Sequence, residues 1–211
     1  MKNNLSAWLA ARGPGQRLCL LAGLLLLLGA AALAGGNLLE ERAAQRQARE
    51  LLAQVDLWLA APEEASQPVP VSGPAEGAGE EPALQEDPWA GYDLLGVLSI
   101  PDLGLRLPVL ADCTDQLLKV SVCRFYQEPE GRWIIAGHNY RDHFGRLGQL
   151  EPGAEVVFLP LSGAEESYRV TAVESIGASD WEALSAGEWD LSLFTCNLDM
   201  TRRVVIRCSR S

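Results

Sequence analysis

Leu191-Ser192-Leu193-Phe194-Thr195-Cys196-Asn197-Leu198-Asp199-Met200-Thr201-Arg202-Arg203-Val204-Val205-Ile206-Arg207-Cys208 is the stretch that decides the fold. Leu191 to Thr195 and Arg203 to Cys208 read as two short apolar strands around a polar break. Arg203 comes seven residues after Cys196. A tight connection of that length makes the two strands antiparallel neighbours. An arginine at the base of one strand then faces a cysteine at the end of the other.

The same texture extends back to Trp89. Leu95 to Ile100, Leu105 to Leu110, Arg132 to Gly137, Glu155 to Leu161 and Tyr168 to Ile176 are apolar or alternating runs cut by Gly, Pro, Asp and Ser. Seven or eight strands within about 120 residues predict a small all-β barrel or sandwich. Two short helices are expected, one near Thr114 to Val122 and one near His143 to Leu150. The strand–helix alternation of a doubly wound sheet is missing. No dinucleotide fingerprint, P-loop or H-E-x-x-H string occurs.

The chain of 211 residues carries a net charge of −11, which argues against a phosphate-gripping nucleic-acid binder. Only two histidines occur, so a multi-histidine metal site is nearly excluded, and five cysteines are too few for a disulfide-rich miniprotein. Charge divides the chain into three. Residues 1–39 carry three bases and no acid, residues 40–91 are strongly acidic, and residues 92–211 are mildly so.

Leu18 to Leu39 contains no charge and includes five consecutive leucines. At about 1.5 Å per helical residue it spans a hydrocarbon core of roughly 30 Å. Arg12 and Arg17 precede it and Glu40-Glu41 follow, which orients the N-terminus to the cytoplasm. The expected organisation is a cytoplasmic N-terminus (1–17), a transmembrane signal anchor (18–39), a helical stalk (40–61), an acidic Pro/Gly/Glu-rich linker (62–91) and a β-rich outer domain (92–211). The competing reading of the apolar run is a cleaved signal peptide, with Ala32-Leu33-Ala34 as the cleavage site. Both readings put residues 40–211 outside the cytoplasmic membrane. The stalk has only a partial apolar stripe, at Leu51, Leu52, Val55, Leu57 and Leu59, and reads as a spacer. The linker reads as a flexible tether.

Cys196 closes a strand and opens a loop, a mount that fixes a nucleophile while leaving room for substrate. His138 leaves the apolar run Trp133 to Gly137 in the same way, and Gly137 permits close backbone approach. His143, between Asp142 and Phe144, is expected to be exposed. Cys208 reads as core. Cys113 and Cys123 are either small buried hydrophobes or a pair. A cysteine needs thiolate character to attack, and a histidine supplies charge and then a proton. An arginine near them stabilises a developing oxyanion.

Three strings, in order, resemble the sortases, membrane-anchored transpeptidases of Gram-positive bacteria. They are Ser192-Leu193-Phe194-Thr195-Cys196, similar to the family's T-L-x-T-C, Ala136-Gly137-His138-Asn139-Tyr140, and Arg203-Val204-Val205-Ile206. The resemblance covers roughly Tyr92 to Ser211 and looks closer to class B or class D than to the housekeeping type. It implies a closed eight-stranded sortase-type β-barrel with one or two short helices. It implies cleavage of an LPXTG-like C-terminal sorting signal, with Cys196 as nucleophile, His138 as general acid and base, and Arg203 as oxyanion stabiliser. Arg202 is the neighbouring alternative for that last role and Arg207 the second choice. Thr195 and Asn139 are expected to touch substrate. The acyl donors would be surface proteins or pilins, and the acceptor an amine of peptidoglycan precursor or a pilin lysine. No cofactor is assigned; some members of the family use calcium, but no carboxylate cluster here is specific enough to hold it. Two rival readings stand beside it: a secreted thiol peptidase, whose residues would overlap, and a non-catalytic membrane-tethered β-domain, in which Cys196 is inert and buried.

Overall fold

The structure is a computed structural model of the 211-residue chain, and it describes residues 13–60, 91–127, 132–161, 163–197 and 200–211. The chain divides into two compact units, 1–43 and 44–211. Helix α1, Pro14–Leu59, runs through both. Its N-terminal part is long and apolar enough to cross a membrane. The expected cytoplasmic segment lies mostly, and the acidic linker almost wholly, outside the described residues.

The second unit is a closed barrel. Its strands are β1 (Leu94–Ile100), β2 (Leu105–Leu110), β3 (Val122–Gln127), β4 (Trp133–Ala136), β5 (Glu155–Pro160), β6 (Glu166–Gly177), β7 (Leu191–Cys196) and β8 (Arg202–Arg210). Around the barrel they run β1-β2-β3-β4-β7-β8-β6-β5. Two neighbouring pairs are parallel, β2 with β3 and β4 with β7, and the rest are antiparallel. The all-β expectation holds in this form.

Inward-facing side chains alternate along each strand and fill the barrel. Leu98, Ile100, Leu107, Val109, Ile135, Leu191, Leu193 and Ile206 belong to one buried cluster, which Phe144 and Leu147 enter from the loop after β4. The outward face is also covered in two places. Ile134, Ala136, Phe194 and Val205 pack with Leu184 of helix α3, Trp181–Ser185. Leu51 and Val55 of α1 pack with Leu94, Val97, Leu110 and Val120.

That second contact departs from the spacer reading of residues 40–61. Ala44, Ala48, Leu51 and Val55 recur at helical spacing and are buried. Asp56 accepts two hydrogen bonds from the Arg106 guanidinium, at 2.8 and 2.6 Å. The short alanines conceal the stripe, because they read as helix formers rather than as a binding face. Leu57, by contrast, is exposed.

Three local expectations change. β3 occupies Val122 to Gln127, where no strand was expected. It follows α2, Asp115–Val120, with Ser121 alone between them. The expected helix near His143 to Leu150 is instead a set of turns ending in a 3-10 turn, Leu147–Gln149. Gly145 and Gly148 weaken helix here, and a side chain at Gly145 would strike the carbonyl oxygen of Asn139 at 2.3 Å. His143 is buried rather than exposed, because fully buried Phe144 draws the loop into the core.

Burial pushes the His143 imidazole down to about 4, with the nearby His138 charge acting in the same direction. Both of its ring nitrogens are buried without a hydrogen-bond partner. The unfolded chain, with an ordinary histidine near 6.5, therefore takes up the proton first as pH falls. This site's contribution to stability is full above about pH 6.5 and is lost towards pH 4, by up to roughly 3 kcal/mol. His143→Phe should flatten the loss. Denaturant midpoints at pH 7.5 and 4.5 should fall much further for the unmodified chain than for the variant.

Candidate active site

Parallel pairing brings β4 and β7 side by side with Ala136 opposite Phe194. The Gly137 amide donates to the Phe194 carbonyl at 3.1 Å, which continues the register past the strand end. Two residues further along each chain come His138 and Cys196. Neighbouring strands lie about 4.8 Å apart, so both residues leave the sheet at the same edge. On the other side of β7, antiparallel pairing sets Cys196 directly opposite Arg203. Residues so paired have Cβ atoms about 5 Å apart and share a face of the sheet. Cys196, His138 and Arg203 line one cavity of about 350 Å³, with Phe125, Trp181 and Cys113 among its walls. The cavity lies on the barrel's outward face, in line with Phe194 and Val205, and not in its interior.

The β7–β8 connection holds that register. The Asn197 amide donates to the Arg202 carbonyl at 2.9 Å, and the Arg202 amide donates to Asn197 Oδ1 at 3.0 Å. Met200 takes a left-handed φ of 58°, an uncommon conformation for a side-chain-bearing residue, and completes the turn. Gly137 is required before the histidine. A Cβ there would stand 2.5 Å from the Phe144 ring.

The three arginines separate by what their donors do. Arg202 gives Nε to Ser175 Oγ at 2.8 Å and Nη2 to the Ser175 carbonyl at 2.5 Å. Arg207 is buried and spends its guanidinium on Glu174, Ser192 Oγ and the carbonyls of Leu184 and Ala183. Arg203 is nearly buried, yet its Nε and Nη1 have no partner. Its guanidinium carbon sits 3.8 Å from the centroid of a Trp181 ring and 5.2 Å from that of Phe194. Trp181 in turn stacks on Phe125 at 5.4 Å. The site thus holds a desolvated cation by aromatic faces while leaving N–H groups unspent.

Trp181, Phe125 and the structural use of Arg207 were not singled out from sequence. Helix α3 has only five residues, and its one local signal is Asp180, whose carboxylate accepts from the Ala183 amide at 3.0 Å. Asn139 borders the cavity, and its Nδ2 lies 3.5 Å from the Asn197 carbonyl. The His138 ring stacks on Tyr140 at 4.7 Å. Thr195 is buried with an unpartnered hydroxyl. With Asn139, Asn197 and Val204 it lines a second cavity of about 380 Å³, which Cys196 also borders. Cys113, Cys123, Cys196 and Cys208 are free thiols; Cys208 is buried, and burial pushes it up to about 12. Among the described residues no group of three or more His, Cys, Asp or Glu could hold a metal ion.

A model of the sortase domain matches residues 98–211, more than half of the chain, and the chain belongs to that family. It is 28% identical over 127 residues to "Sortase A" of Bacillus anthracis, with 56% of this chain and 60% of that protein covered. The chain thus spans less than two thirds of that relative's length. Among solved structures, sortase C1 of Streptococcus suis aligns with a TM-score of 0.51 at 20% identity, covering 57% of this chain and 74% of that one. Clostridium perfringens sortase C, determined with the C-terminal cell wall sorting motif, aligns with a TM-score of 0.51 at 20% identity, covering 58% and 75%. At such identities the likeness carries the fold and not the class.

Arg207→Leu should destabilise the domain by roughly 2–4 kcal/mol, because it strands Ser192 Oγ and two carbonyls of α3. Chemical denaturation followed by tryptophan fluorescence would measure it. A loss below about 0.5 kcal/mol, the range of an ordinary surface substitution, would show that α3 does not depend on this anchor.

Proposed function

We propose that the chain is a membrane-anchored cysteine transpeptidase with its N-terminus in the cytoplasm and its barrel outside. The observation that carries the reading is the shared cavity of Cys196, His138 and Arg203, with two guanidinium nitrogens of Arg203 left without a partner. In the first half-reaction the Cys196 thiolate attacks the scissile carbonyl carbon of a sorting signal of the LPXTG kind, at the Thr-Gly bond. The carbonyl oxygen becomes an oxyanion and accepts hydrogen bonds from Arg203. Collapse breaks the C–N bond, and His138 gives its proton to the departing glycine amine. A thioester remains on Cys196. In the second half-reaction an amine attacks that thioester, His138 takes the amine's proton, and the thiolate leaves.

Arg203 suits this work better than its neighbours, because Arg202 and Arg207 are already committed to protein oxygens. Transfer is favoured over hydrolysis by the two cavities that meet at Cys196. One can hold the acyl donor while the other admits an amine. The donors we propose are surface proteins or pilins. The acceptor is an amine of cell-wall precursor or a pilin lysine. Asn139, on the border of both cavities, is proposed to touch substrate, and Thr195 to shape the second cavity beside the sulfur.

The full chain in detergent, given a sorting-signal peptide and an amine, should form the amide product. Free acid alone would support a thiol peptidase instead. Cys196→Ala should abolish product, and a variant that cleaves as well as the unmodified chain would remove the proposed nucleophile. Arg203→Ala should lower kcat by about 10²–10³-fold, the usual cost of losing an oxyanion donor. Arg202→Ala should stay within a few-fold of the unmodified chain, and the reverse order would reassign the clamp.

A further inference from the structure

Cys113 and Cys123 have no part in the chemistry proposed above, yet they meet beside it. Cys113 lies in the link between β2 and α2, and Cys123 is the second residue of β3. The parallel β2–β3 pair sets Leu110 opposite Cys123, three residues before Cys113. The link then folds back over β3, where Arg124 Nε donates to the Ala111 carbonyl at 3.2 Å. Cys113 packs against the apolar cluster that contains Cys123, and the Cys123 thiol donates to the Ser121 carbonyl at 3.8 Å. Cys113 is half-buried and lines the catalytic cavity together with Thr114, Asp115 and Leu118, whereas Cys123 is fully buried.

We propose that Cys113 and Cys123 form a disulfide that staples the β2–α2 link to β3 and so fixes one wall of the catalytic cavity. The two cysteines are chemically unequal in the way thiol–disulfide exchange needs. The neighbouring Cys123 holds the Cys113 thiol below its usual range, and Cys113 together with burial holds Cys123 above it. Cys113, the accessible partner, attacks the S–S bond of an external low-molecular-weight disulfide. One thiol of that oxidant leaves, and a mixed disulfide remains on Cys113. The negative charge that opposed ionisation of Cys123 is then gone. Cys123 loses its proton, attacks the Cys113 sulfur and releases the second thiol. Two cysteines are oxidised, and one disulfide is reduced to two thiols. The outward placement of the barrel proposed above matters only for the supply of oxidant, because disulfides persist outside the cytoplasm. The bond closes a loop that contains all of α2, so the segment bearing Thr114, Asp115 and Leu118 loses freedom.

The test equilibrates the full chain in detergent with oxidised glutathione, unfolds it in guanidinium chloride in the presence of N-ethylmaleimide to block every free thiol, and digests with trypsin without reductant. Cleavage after Arg106, Lys119 and Arg124 separates the two cysteines into peptides 107–119 and 120–124. The expected result is those peptides joined, with Cys19, Cys196 and Cys208 alkylated. All five cysteines alkylated, or Cys113 joined to Cys196 or Cys208, would overturn the pairing. This readout needs no activity, so its failure is distinct from failure of the transpeptidase reading. Reduction of the joined chain is expected to raise KM for the sorting peptide several-fold, with kcat less affected. An unchanged KM would overturn the role assigned to the bond in setting the wall. The Cys113→Ala, Cys123→Ala double variant should show the same KM with and without oxidant.

Discussion

The antiparallel register of β7 and β8 is the constraint on which the rest depends. Because Cys196 stands opposite Arg203, a sulfur and a guanidinium share one face at the edge of the sheet. A slip of one residue would turn one of them to the barrel interior, since side chains alternate with a period of two. Leu193 and Ile206 are paired and buried inside, Phe194 and Val205 are paired and covered outside, and both layers resist such a slip. The parallel β4–β7 pair adds the histidine without a further device. Its strands end at the same edge, so whatever follows them meets there.

The outer layer determines the electrostatics. Arg203 is held by aromatic faces rather than by a carboxylate, which keeps its charge in place and its donors unspent. Trp181, which supplies the nearer face, belongs to a five-residue helix with little stability of its own. Arg207 compensates by donating to two carbonyls at the end of that helix. Two arginines four residues apart on β8 therefore serve different ends. One braces the wall, and the other is left free at the cavity.

Most of the barrel was legible because its strands are apolar runs bounded by turn residues. β3 was not, because Arg124, Tyr126 and Gln127 interrupt its apolar pattern and Ser121 is its only separation from α2. Helix α3 was too short to give a period. The burial of His143 was hidden by the polar residue before it, and only the depth of Phe144 explains it. For the candidate site, Cys196 and His138 could be read from strand ends, and Arg203 from its spacing after Cys196. Choosing among the arginines required knowing which oxygens Arg202 and Arg207 reach, and those lie 15 to 33 residues away in sequence.

The proposed chemistry rests on the Cys196 sulfur as the atom that carries the acyl group. The most direct measurement is intact mass spectrometry of the full chain mixed with a sorting-signal peptide and no amine, followed by peptide mapping. The account predicts a mass increase equal to the peptide's N-terminal fragment through threonine, released by hydroxylamine and mapped to Cys196. A stable adduct on Cys113, or cleavage of the peptide with the unmodified mass throughout and no dependence on any cysteine, would contradict it.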